Sequence, residues 1–385
     1  MRNMHHIVFA ALIFTFLTSG AWAAPEPAPA ATEKPRVEVA FVLDTTGSMA
    51  NLIDGAKKKI WSIANAIVDR NPDAEILMGL VGYRDIGDEY VTRHFPLTTD
   101  IQSIYGELLT FKADGGGDTP ESVNEALDVG VGKLGWSDSG QGNGKYGKGK
   151  TSRILFLVGD APPHMDYDQD RKYPDVIRDA VSRGIIVNTV QAGGMQSTKK
   201  IWKEMAKLGN GEYHAIPQDG GRVVIIATPY DERIRVIQIE LNKTVVPYGS
   251  AVRQEAVKSK AEMYEKAAPA ASADMSSYVS KSAKGKSIVT GGGDLVADVT
   301  GGKKKLADVP EKELPPAMQA MPPAERENYI AKQSAERETL SAELKELVLN
   351  RDAFIREKEA EQAASGGATD SFDQSVAKTL KKQIK

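Results

Sequence analysis

From Arg36 onward the chain alternates between two periodicities, and this alternation restricts the fold more than any other feature. Val37 to Leu43 is a nearly continuous apolar, β-branched run, the pattern of a strand covered on both faces. Ile53, Ile60, Ile63, Ala64 and Ile67 then recur at helical spacing. "AEILMGLVGYRD" and "YVTRHFPLT" read as two more strands joined through the turn-like Gly87 and Asp88. A short helix over "DIQSIYGELLTFK" has Asp100 as its N-cap, and the glycine-rich "ADGGGDTPE" leads into a helix whose apolar side is Val123, Ala126, Leu127, Val131 and Leu134. "RILFLVGD" is a second doubly buried strand; "IIVNTVQAG" and "EYHAIP" are further strands, each preceded by a helix. Strands alternating with helices predict an α/β fold with a doubly wound, mostly parallel sheet flanked by helices. In such sheets a ligand site lies at the carboxyl ends of the strands.

The alternation ends with "TPYDERIRVIQIELNK", where Thr228, Pro229 and Asp231 form a capping box and Ile234, Ile237 and Leu241 a single stripe. This is the helix expected to close a domain spanning 36–250. Residues 251–290 are rich in Ala, Ser and Lys and are expected as a linker or mobile helix. Residues 291–385 are expected as an amphipathic helical region, with Leu340, Leu344, Leu347, Val348 and Ile355 on one face. That face can pack within the molecule, pair with another copy as a coiled coil, or dock on a partner.

At the other end, "MRNMHHIVFAALIFTFLTSGAWA" has a basic start, a short apolar run and small residues at Ala21 and Ala23. It reads as a signal peptide over 1–23, followed by a Pro/Ala linker over 24–35, so an exported chain, periplasmic or secreted, is expected. Membrane attachment beyond the signal is not expected. Lys plus Arg (49) nearly balance Asp plus Glu (52), which gives no general field for nucleic acid. The chain has no cysteine, which removes disulfides, thiolate zinc sites and cysteine nucleophiles together.

Three separated pieces fall at the same end of the expected sheet: "DTTGS" after the first strand, "GGGDTPE" before a helix, and Asp160 after "ILFLV". Each has an ordinary structural use, with Ser48 capping a helix, Thr119 capping a helix opened by Pro120, and Asp160 ending a strand. Together they offer only oxygen donors, few of them charged, a set suited to Mg2+ or Mn2+.

These residues resemble the von Willebrand factor type A family. Asp44, Thr46 and Ser48 fit its Asp-x-Ser/Thr-x-Ser signature, Thr119 its second element and Asp160 its third, over roughly residues 36–250. The resemblance implies a metal-ion-dependent adhesion site, with hydroxyls from Thr46, Ser48 and Thr119 on the ion and Asp44 and Asp160 acting directly or through water. The implied cofactor is Mg2+, with Mn2+ or Ca2+ as alternatives, and the implied partner is a protein presenting Asp or Glu. Asp118 departs from the pattern as an extra carboxylate and is read as holding the glycine loop through a backbone hydrogen bond. Asp166 and Asp168 in "HMDYDQD" are accessory candidates, but a calcium loop would need glycine at Arg171 and glutamate at Ile177.

"GKYGKGKT" at 144–151 satisfies the phosphate-loop pattern, yet it enters a strand where the nucleotide site needs a helix N-terminus, so no nucleotide is expected. His164 near Asp160 could act as a base in a metal-dependent hydrolase, but no serine nucleophile in a turn motif accompanies it, and a surface histidine is expected. The expectation is a non-enzymatic, metal-dependent binding or adhesion module. The alternative is an envelope scaffold acting through its helical region, with a purely structural metal; a hydrolase comes third.

Overall fold

The structure, a computed structural model, describes residues 35–137, 151–218, 225–282, 292–364 and 371–384. The leader, nearly all of the 24–35 linker and residues 144–150 of the phosphate-loop pattern lie outside the described residues.

The apolar run becomes β1 (Arg36–Asp44), every residue of which is buried except Arg36. Its side chains alternate: Val37, Val39, Phe41 and Leu43 enter one core cluster, Ala40 and Val42 the other. After the long helix α1 (Ala50–Arg70) come β2 (Glu75–Tyr83), β3 (Thr92–Thr98), α2 (Ile101–Thr110) and α3 (Val123–Gly132). β4 (Thr151–Gly159), α4 (Tyr173–Ser182), β5 (Ile185–Ala192), α5 (Gln196–Leu208) and β6 (Asn210–Ile216) complete the alternation. The sheet order is β3-β2-β1-β4-β5-β6, with only β3, at an edge, antiparallel to its neighbour. Asp100 caps α2 as expected, accepting from Ser103 N at 3.1 Å.

One face of the sheet is covered by α1 and α2, the other by α3, α4 and α5. β1 lies at the centre, where the strand order reverses, so Asp44 sits at the crevice that such topologies leave open.

The remaining chain is helical and belongs to the same unit. Residues 251–281, expected as linker or mobile helix, form α7 (Ala251–Lys266) and α8 (Pro269–Lys281), and their Tyr264, Met275 and Tyr278 join the main core. Their few large apolar residues are widely spaced, so composition understates what they bury. The helix expected to close the domain, α6 (Asp231–Lys243), instead packs through Ile234 and Ile237 on Ala273 of α8 and on Leu344 and Val348. Those last two belong to a 42-residue helix: after α9 (Leu295–Thr300) and α10 (Pro316–Gln319), the chain runs through α11 (Pro323–Ala364). The face beside α1 and β6 is closed by α12 (Ser371–Gln383), whose Val376 and Leu380, with the following Ile384, lie in the main core. Gln383 exchanges hydrogen bonds with Asn188 of β5, and Thr379 bonds His214 and Glu212 of β6. A helical stripe records that a surface is buried, but not against what. Glu33–Lys385 forms one compact unit, and no helix among the described residues is long and apolar enough to cross a membrane.

Candidate functional site

Asp44 is the last residue of β1 and is wholly buried. Its Oδ1 accepts from Thr46 N at 2.9 Å and Thr46 Oγ1 at 2.6 Å, and Thr46 Oγ1 lies 3.3 Å from Ser48 Oγ. Ser48 is exposed, so a line of oxygens runs from the buried carboxylate to the surface. Thr45 between them turns the other way, donating to Tyr83 O at 2.9 Å and meeting Tyr90 Oη at 2.7 Å. Asp44 Oδ2 is buried and has no hydrogen-bond partner.

Asp160 follows β4 and is half-buried, its Oδ2 accepting from Gln218 Nε2 at 2.6 Å. Gly159 before it makes the approach possible, because a Cβ there would lie 2.4 Å from Tyr83 Oη and 3.0 Å from Asp44 Oδ2. The glycine loop lies against the β1 turn through Gly47 N to Gly115 O and Asp114 N to Thr45 O, each 3.1 Å. Gly115 and Gly116 both have φ of 74°, and a Cβ on Gly116 would sit 2.7 Å from Thr46 Cβ and 3.0 Å from Glu121 Oε1.

The loop therefore brings Glu121 close to Thr46, while Thr119 and Asp118 stand exposed. Asp118 does not hold the loop as expected; Asp88 does so from Gly116 N (3.1 Å), and Asp114 from Gly115 N (2.9 Å). Nor does Thr119 cap the next helix, which begins at Val123 after Ser122. Asp166 is held by His164 Nδ1 at 2.8 Å and Asp168 is exposed, so neither is joined to Asp44. His164 is 6% exposed rather than a surface residue, stacked 3.9 Å from the Tyr167 ring, with Nε2 3.4 Å from Asp85 Oδ2. Asp85 also accepts from Ser122 Oγ at 2.6 Å and Tyr167 Oη at 3.0 Å.

The electrostatics follow from this crowding. Burial, then the charge of Asp160, pushes Asp44 up to about 7. Burial, then Asp44, Asp85, Asp160 and Asp88, pushes Glu121 up to about 9. Tyr83 is raised too, by burial and then by Asp44, Asp160 and Glu121, and its Oη is another buried oxygen without a partner. Among the described residues no three Asp, Glu, His or Cys side chains converge closely enough to hold a metal by themselves. A hard divalent cation here would need hydroxyl ligands beside few carboxylates. Asp44, Thr46, Ser48 and Asp160 supply that donor chemistry, and the orphaned Asp44 Oδ2 is an oxygen that lacks a positive partner.

A family model for the von Willebrand factor A domain matches residues 38–228. Residues 38–228 are a von Willebrand factor A domain. A protein described as an ariadne-like RING finger protein of Acanthamoeba polyphaga mimivirus is 28% identical over 132 residues, which covers 33% of this chain and 11% of that relative's length. Among solved structures, the VWA domain of SpRpn10 is 12% identical with a TM-score of 0.34, covering 48% of this chain and 89% of that one. Proximal thread matrix protein 1 from the mussel byssus is 13% identical with a TM-score of 0.34, covering 48% of this chain and 43% of that one. The von Willebrand factor A match ends before α6, so the helices that complete the core, α12 included, lie outside it.

Proposed function

We propose that this von Willebrand factor A domain is a divalent-cation-dependent protein-binding module of an exported chain. Asp44, Thr46, Ser48 and Asp160, with Thr119 from the glycine loop, would hold Mg2+, Mn2+ or Ca2+. When bound, the ion would supply an electrophilic centre for an Asp or Glu of a protein partner. The chain's own part is to keep Asp44 rigid from below, to fix Thr46 on it, and to leave Ser48 open to the approaching partner. The observation that carries this reading is the buried, unpartnered Asp44 Oδ2 beside Asp160, at the end of a hydroxyl line that reaches the surface. We assign it no reaction, nucleic acid or nucleotide.

Calorimetric titration of Mg2+, with and without excess acetate as a surrogate carboxylate, tests it. Saturable binding in the parent and none in a folded Asp44→Ala variant is expected. Silence in the parent under both conditions, or unchanged binding in the variant, would overturn it. A scaffold acting through α11 is the second reading, favoured by Leu349 of that helix, a large apolar side chain left 60% exposed while Leu344 and Val348 are buried within the unit.

A further inference from the structure

We infer that Glu121, which lies outside the donor set read from the sequence, is the positioning carboxylate that sets how tightly the site holds a divalent cation; this rests on the cation-dependent reading above. Glu121 is 3% exposed, and its Oε2 is buried without a partner. Its Oε1 faces the space beside Gly116 that borders Thr46, a space kept open because position 116 has no Cβ. Among the described residues no Lys or Arg pairs with it. Arg84, at the same end of the sheet, directs its guanidinium to Thr45 O, Lys112 O and Glu89.

The backbone holds this placement firmly. Glu121 N donates to Pro162 O at 3.0 Å and His164 N donates to Glu121 O at 3.1 Å, a two-bond bridge that ties the glycine-loop segment to the segment just after Asp160. Neighbouring Ser122 is anchored on Asp85. These bonds fix the Glu121 backbone at the junction between two of the loops that form the site, so its side chain starts from a set point beside Gly116 and Thr46. A buried, unpaired carboxylate is costly unless positive charge is supplied to it.

Glu121, Asp44 and Asp160 do not converge as a chelate, so Glu121 acts through its field and its place beside Thr46, not as a third inner ligand. Ionised beside a bound cation, Glu121 favours its retention before any partner arrives and moderates the pull on the partner's carboxylate. The site is then a standing cation-loaded platform.

The test titrates Mg2+ and Mn2+ into the full-length chain and into Glu121→Gln, Glu121→Asp and Asp44→Ala, with thermal melts of each in EDTA. Glu121→Gln is expected to weaken cation binding about 10- to 100-fold while melting at or above the parent in EDTA, and Glu121→Asp to recover part of the affinity. A residue that served packing alone would lower the melting point in EDTA and leave affinity untouched. Parent-like affinity in Glu121→Gln, with binding lost in Asp44→Ala, overturns this inference alone. No saturable binding in the parent overturns it together with the proposed function.

Discussion

Asp44 and Glu121 share a peculiarity with a thermodynamic consequence: both are buried carboxylates with an oxygen that accepts from nothing. Their folded values, about 7 and about 9, stand above the ordinary 3.8 and 4.5. Between the ordinary and the raised values the folded chain binds more protons than the unfolded one, so stability must fall as pH rises. The loss begins above about pH 4 and continues through both raised values. In EDTA, the melting temperature is therefore expected to decline steadily from pH 5 to pH 8, and the Asp44→Asn, Glu121→Gln double variant to show a flatter profile. A profile equally steep in parent and double variant would place the pH dependence elsewhere. At the same scale, Gly159 and Gly116 matter because a Cβ at either position would strike Tyr83 Oη or Thr46.

The joints between helices depend on buried charge as well as on apolar stripes. Arg351 of α11 is 4% exposed and pairs with Asp231 at the start of α6 (2.7 Å) and with Asp274 of α8 (2.8 Å). Asp231 also accepts from Thr228 N and Thr228 Oγ1, so one carboxylate serves both a helix start and an interhelical clamp. Removing one member of such a buried network strands the others, whereas replacing all three leaves no stranded charge. Arg351→Ala is expected to cost about 3–5 kcal/mol in urea denaturation, and the Arg351→Met, Asp231→Asn, Asp274→Asn triple variant to recover most of that loss. Equal losses in the single and triple variants would show that the helices are held by Ile234, Ile237, Leu344 and Val348 alone.

Across the whole molecule the decisive fact is that the sheet is closed by the far end of the chain. Val376, Leu380 and Ile384 are 0%, 2% and 8% exposed, and burying side chains of this kind contributes roughly 1.5–3 kcal/mol each. That total is comparable with the net stability of a typical domain, roughly 5–15 kcal/mol. Truncation after Ala364 is therefore expected to abolish cooperative thermal unfolding, and a peptide of residues 371–385 added in trans to restore it in part; an unchanged melt in the truncated chain would show α12 to be dispensable. A fragment ending at 250 lacks α7, α8 and α12 together, so it is a poor isolate of this domain. What the sequence determined by itself was the order and type of the elements along the chain. The strands and helices from 36 to 216 followed from their periods, the mostly parallel sheet from their alternation, and the Asp44, Thr46, Ser48 line from three positions within one turn. What only the tertiary structure decided was which distant surfaces meet. Glu121 looks in sequence like an ordinary acid near a helix start. Tyr83 looks like the end of an apolar run, and α12 like one more charged helix. Periodicity reports that a face will be buried and is silent on its partner, and these pairings join residues that chain order leaves far apart: Asp44 with Glu121, Asn188 with Gln383, Asp231 with Arg351.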